Sequence, residues 1–173
     1  MRGLDPSADG GPRNGLGGLH IYLKGSWSIL RLIEDRRLGL EGTLLGKASF
    51  GEHDQGLHYR EAGRMRLGAY SGRANQTYLY RFPGDGLIEV HFADGRFFHA
   101  LDLTGGVAEA EHLCARDRYR TRVELLTRSR WKSRWRVRGP AKDLLLTTWY
   151  LRFAEPPTCR HASGAADYLP GSR

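Results

Sequence analysis

A carboxylate, an imidazole, several phenols and two guanidiniums recur in this chain at matching parity within alternating runs. Arg31 follows Trp27 and Ile29, Glu61 lies between Tyr59 and Gly63, and His99 lies between Phe97 and Leu101. Asp117 and Tyr119 precede Thr121 and Val123, while Tyr150 and Arg152 follow Leu146 and Thr148. Gathered around one apolar space, Glu61 or His99 could take a proton, Tyr119 could give one and Arg31 could stabilise an anion. That set suits isomerisation, cyclisation or decarboxylation without a cofactor. The same groups could instead hold a molecule without changing it: Arg31 or Arg152 gripping a carboxylate through paired N–H donors, with aromatic rings as walls. The expected ligand-binding set is Trp27, Arg31, Tyr59, Glu61, Phe97, His99, Tyr119, Tyr150 and Arg152. The competing reading is structural, since buried charges are costly unless paired, and an Arg31–Glu61 pair would satisfy both partners.

Other chemistries find less support. His112 and Cys114 are soft donors two residues apart, but the second Cys pair and the spacing of a structural zinc site are missing. They are better read as residues of a closing loop. Gly105-Gly106 is not followed by a helix carrying Lys-Ser or Lys-Thr, so no phosphate loop is present. No resident metal or cofactor is expected.

These residues need strands to align them. Twenty-three glycines among 173 residues, and few long helix-forming runs, favour a turn-rich β protein. Short β-rich runs recur at roughly the 8–12-residue spacing of antiparallel folds. They fall near 20–33, 40–50, 57–68, 75–82, 87–93, 96–103, 117–127, 131–138 and 143–153. Turns are expected at Arg37-Leu38-Gly39, Gly51 to Gly56, Ser71-Gly72, Pro83 to Gly86, Asp94-Gly95 and Gly139-Pro140. Only Ala108 to Ala115 has helix-forming composition, allowing at most one short helix or an ordered loop. Strands in up-and-down order leave exposed edges unless the sheet closes, which favours an antiparallel barrel of about 9–10 strands over a two-sheet sandwich. The organisation expected is a disordered leader over 1–18, a β-barrel domain over 19–154 and a loosely ordered tail over 155–173.

Alternation sorts inside from outside, because successive side chains of a strand point to opposite faces. Leu23, Gly25, Trp27, Ile29, Arg31 and Ile33 share one face, and Leu57, Tyr59, Glu61, Gly63, Met65 and Leu67 another. A single bulge would reverse every assignment beyond it. The net charge is +8, and Arg116 to Arg138 contains ten basic residues against Asp117 and Glu124, which accounts for all of it. Arg116, Arg118, Arg120 and Arg122 share one parity; Arg130, Lys132, Arg134, Arg136 and Arg138 share another. Two adjacent strands would thus carry an outward basic ladder, with Trp131, Trp135 and Val137 packed inside. A polyanion could dock there, but single-strand nucleic-acid binders interleave stacking rings with their charges. A solvated or partner-facing patch is therefore preferred over nucleic acid.

Cys114 and Cys159 do not make a secreted disulfide framework, and the N-terminus lacks a signal-peptide pattern. No apolar run approaches the roughly 20 residues that cross a bilayer. A soluble, cytoplasmic protein without a membrane partner is expected.

Gly25-Ser26-Trp27 on the first strand, with Arg152 on the last, resembles the calycin pattern, in which an N-terminal Gly-x-Trp packs beneath a basic side chain from the final strand. More of the chain, from Leu23-Lys24-Gly25-Ser26-Trp27 through His58 to Gly63, Phe92 to His99, His112 to Tyr119 and Trp131 to Asp143, resembles a lipocalin-like family of domains of unknown function over about residues 22–152. The resemblance implies a calycin-like barrel and supplies no reaction or ligand. The function expected is binding of a small, partly apolar molecule, one that could carry an acidic group, in a polar-studded interior. The alternatives are acid–base catalysis by Glu61, His99 and Tyr119, and polyanion binding by the outer arginines.

Overall fold

A computed structural model describes residues 18–153. Residues 1–17 of the leader expected over 1–18, and the tail expected over 155–173, lie outside the described residues. The helix α1 (Gly18–Leu23) precedes ten strands: β1 (Gly25–Asp35), β2 (Leu40–His53), β3 (Gly56–Leu67), β4 (Tyr70–Gly84), β5 (Leu87–Phe92), β6 (Phe97–Asp102), β7 (Val107–Cys114), β8 (Asp117–Thr127), β9 (Arg130–Gly139) and β10 (Lys142–Arg152). Each strand pairs antiparallel with its chain neighbours, except that β6 and β7 share no ladder and β1 pairs with β10. The sheet order therefore runs from β6 through β1 and β10 to β7. The sheet curls into a nearly closed barrel whose remaining seam lies between consecutive strands.

The first and last strands meet in unbroken register, Trp27 opposite Arg152 through Asp35 opposite Leu144. Parity along them divides the residues as alternation requires. Trp27, Ile29 and Ile33 are buried, as are Leu44, Ala48 and Phe50 of β2, Leu57 and Tyr59 of β3, and Thr148 and Tyr150 of β10. On β2 and β3 the inward pair Gly46 and Gly63 lie opposite one another. A Cβ on Gly46 would stand 2.3 Å from the Ala62 carbonyl oxygen, so this approach of backbones requires glycine.

Four local expectations are corrected. The short helix is not at 108–115: those residues belong mostly to β7, where Ala108 is buried and Glu109 and Glu111 reach across to Arg122, Arg118 and Arg120 of β8. Strand pairing overrides the weak propensity of eight residues. Residues 20–23 are instead in α1, with Tyr22 and Leu23 buried over one barrel end. Ser71-Gly72 lies within β4, and the preceding turn is made at Gly68, whose φ of 55° suits a glycine. Finally, the β5–β6 register slips between Val90 opposite His99 and His91 opposite Phe97. That bulge leaves Phe97 54% exposed and turns Phe98 inward beside His99.

Candidate functional site

One end of the barrel is plugged by side chains from both chain ends of the sheet. Trp27 is fully buried and donates its indole N–H to the Leu23 carbonyl at 2.8 Å. Arg152 lies 4.2 Å over the Trp27 ring and donates to the Lys24 carbonyl at 2.8 Å and to the Tyr22 carbonyl. Tyr22 in turn donates its hydroxyl to the carbonyls of Thr127 and Arg130, at 2.8 and 2.9 Å, tying α1 across the β8–β9 hairpin. Trp27 and Arg152 therefore build the closed end.

Beyond this plug lies a cavity of about 230 Å³. Six of the nine expected binding residues line it: Arg31, Tyr59, Glu61, His99, Tyr119 and Tyr150. Register orders them by depth. Trp131 and Tyr150 form the layer next to the plug, and Tyr119, Val137 and Leu146 lie toward the opposite end. Phe97 is outside because of the bulge, and its place is taken by Phe98.

The polar wall is a connected network. Arg31 donates from both terminal nitrogens to the two Glu61 oxygens at 2.8 Å each, and from Nε to Thr148 Oγ1 at 2.7 Å. Tyr59 donates to Glu61 Oε2 at 2.5 Å, and its oxygen lies 3.4 Å from the Tyr150 hydroxyl. Burial opposes the Arg31 charge, yet the Glu61 hydrogen bonding and the electrostatic pull of Tyr150, Glu61 and Tyr59 together outweigh it and hold the guanidinium proton more tightly than usual. Burial also pushes the phenols of Tyr59 and Tyr150 up, with neighbouring Tyr150 and Glu61 adding to the shift of Tyr59, so both stay neutral and can donate. Tyr78, on the same wall, is pushed up to about 12, mainly by burial.

Aromatic rings make up much of the remaining lining. Phe98 and Trp135 stack at 5.4 Å with ring planes 1° apart, and His99 meets Trp135 edge-on at 5.1 Å. Trp131 stacks on Tyr150 at 3.5 Å. Burial, reinforced by nearby His112, lowers the His99 pKa to about 4, so its imidazole is neutral at neutral pH. Three buried polar atoms of residues lining this cavity have no hydrogen-bond partner: His99 Nδ1, Thr121 Oγ1 and Trp131 Nε1. Each residue is 5% exposed or less. Tyr119 is held near the far end by Lys142, whose ammonium donates to its hydroxyl at 3.3 Å and to Asp117 at 2.6 Å.

Thr121, Phe98, Tyr78, Trp131 and Trp135 are absent from the expected binding set. The inward parity of Trp131 and Trp135 was legible, but parity alone does not separate a core ring from a cavity wall. Among the described residues, no group of three or more His, Cys, Asp or Glu side chains converges to hold a metal. No described helix is long and apolar enough to cross a membrane.

Comparison with known proteins agrees with this architecture. A model of a family of unknown function, DUF6314, matches residues 23–152. No curated protein matches the chain in sequence. Among solved structures, the S-type phycobiliprotein lyase from Guillardia theta is similar with a TM-score of 0.60 at 8% identity, over 84% of this chain and 96% of the lyase. A protein of unknown function from the DUF3598 family of Nostoc punctiforme gives a TM-score of 0.51 at 12% identity, over 78% of this chain. This chain spans about half of that protein, 49% of its length. At these identities the likeness is one of fold. The chain belongs to the DUF6314 family.

Proposed function

We propose that this DUF6314 chain binds a small, flat, partly apolar molecule inside its barrel. The observation that carries the reading is the unpartnered trio, His99 Nδ1, Thr121 Oγ1 and Trp131 Nε1, on an aromatic-walled cavity. A buried polar group without a partner costs about 1–3 kcal/mol, and three on residues lining one space favour an occupant that, with small side-chain adjustments, supplies the missing bonds. The indole N–H can only donate, the threonine hydroxyl can do either, and a neutral imidazole offers one donor and one acceptor. A carbonyl or ring nitrogen on an otherwise apolar ring system fits that pattern. The cavity, about 230 Å³, exceeds the about 150 Å³ engineered cavity that accepts benzene, so one or two fused rings fit it.

The acidic group considered from sequence has a weaker case. Arg31 spends both terminal nitrogens on Glu61 and its Nε on Thr148, so the pair presents no free positive charge. A neutral polar edge is the better match. The shared fold with a phycobiliprotein lyase supports a barrel interior as the place of action, by analogy of architecture alone.

The test uses 2-naphthol, 2-naphthoic acid and coumarin as probes, titrated against the fluorescence of the full chain. Saturable binding of naphthol and coumarin, weaker binding of the acid and loss of all three in Thr121→Phe are expected. No saturable binding, or binding untouched by Thr121→Phe in a folded variant, overturns the reading. A second reading, acid–base catalysis, is favoured by one observation: His99 is neutral and its Nδ1 is unengaged, whereas Glu61 is committed to Arg31 and Tyr59. Turnover of a bound probe that disappears in His99→Ala, while Thr121→Ser retains it, would support that reading.

A further inference from the structure

The outer wall of β2, β1 and β10 is unusual for a barrel whose interior already holds the core. Leu30, Leu32, Leu45, Trp149 and Leu151 are all exposed there, Leu45 by 61%. Register places them side by side. One row across five strands reads Arg64, Leu45, Leu30, Trp149, Lys132, and the next reads Arg66, Thr43, Leu32, Thr147, Arg134. A third joins Ser28, Leu151 and Arg130. The pattern is a ridge of aliphatic side chains and one indole, bordered on both sides by basic residues.

Those borders are less neutralised than the arginines farther round the barrel. Arg118 and Arg120 are held by Glu111, Arg122 by Glu109 and Glu124, and Arg136 by Asp143. By contrast Arg64, Arg66, Arg130 and Arg134 have no carboxylate partner among the described residues, and Lys132 meets only Glu124 at 3.3 Å. Glu34 and Glu41 face each other beyond Leu32 and bound the ridge at the end away from α1.

We infer that this ridge is a docking surface for an anionic phospholipid bilayer. Leucine and tryptophan gain by leaving water at the acyl–headgroup boundary, and tryptophan favours that boundary. The flanking guanidiniums then meet lipid phosphates, to which arginine donates in pairs. Nucleic acid would use the arginines but gain little from four leucines, since single-strand binders rely on stacking rings. A second copy would bury the leucines yet bring basic borders together. The contact is peripheral, made by side chains of a sheet face.

The experiment is flotation of the full chain with vesicles of phosphatidylcholine alone or mixed with phosphatidylserine, at low and high salt. Binding to the anionic vesicles is expected, weakening as salt screens the borders. Combined Arg64→Glu and Arg134→Glu should lower partitioning by more than about 100-fold, taking roughly fivefold per unit of charge. Leu30→Thr with Leu45→Thr, which keep strand-forming residues, should lower it at least tenfold, to be read beside an unchanged thermal melt. Brominated lipid should quench emission in the wild type and lose most of that quenching in Trp149→Phe. The inference is overturned by absence of binding to anionic vesicles, or by binding indifferent to the leucine variants. It is equally overturned if sedimentation finds a dimer that the leucine variants dissociate, or if an oligonucleotide binds through the arginines while vesicles do not.

Discussion

The Arg31–Glu61 pair is the residue whose energetics decide how the interior is built. Its geometry is bidentate, and Glu61 is 5% exposed, so removing one partner leaves a charge in a poorly solvated place. Glu61→Gln keeps the shape and the acceptor for Tyr59 but takes away the countercharge. It is expected to cost about 3 kcal/mol in urea unfolding, at the low end for a broken buried pair because Arg31 retains some exposure. Arg31→Met in the same chain should recover much of the loss, since neither charge then needs a partner. If the double variant is merely the sum of its singles, the two residues do not act as a pair. Neutralised in this way, Arg31 offers the cavity no free charge, and under the proposed function recognition falls to His99, Thr121 and Trp131.

At the scale of elements, the β1–β10 ladder is supplemented by one side chain of β10 that fastens the end of α1. Arg152 reaches two carbonyls at the end of α1 and covers Trp27. Arg152→Ala should destabilise the barrel by about 1–3 kcal/mol, the range for a charge-assisted hydrogen bond with a cation–π contact. Arg152→Lys should restore only part, because an ammonium cannot span both carbonyls while lying flat on the indole. Thermal melts of the three proteins check this, and identical midpoints would refute the fastening role. Sequence made much of this end legible, since Gly25-Ser26-Trp27 and Arg152 marked both partners and alternation placed Trp27 inside. The cavity was legible where strands are regular, at Arg31, Glu61, Tyr59 and Tyr150. It failed at Phe97, where one extra residue after the Asp94-Gly95 turn shifts the register and parity cannot register a bulge. It failed again at β7, whose alanines read as helix until a neighbouring strand supplies hydrogen bonds and arginines for Glu109 and Glu111. The short α1 had no periodic signal of its own, because six residues form a helix here through burial of Tyr22 and Leu23 on the barrel end.

At the scale of the whole molecule, the barrel of the described residues has one discontinuity, and it bears on how anything enters. Nine ladders join the ten strands, and the place without one is between β6 and β7. The strands are held there by side chains: His112 of β7 lies edge-on to Phe98 at 4.9 Å and to Phe92 of β5 at 6.2 Å. Such contacts yield more readily than a ladder, because parting them breaks no backbone hydrogen bond. Phe98 and His99, which follow the seam on β6, also line the cavity, so parting these strands would expose the cavity from the side. Opening the opposite wall would require breaking the continuous β1–β10 and β1–β2 registers. Entry through the seam is therefore the less costly route. Hydrogen exchange checks it: amides of β6 and β7 that face the seam should exchange far faster than those of β1, whose two sides are both paired. Bound naphthol should slow exchange at the seam more than at β1. Equal protection of β6, β7 and β1 in the free protein, or protection by naphthol confined to the end near Tyr119, would place the entrance at the mouth of the barrel instead.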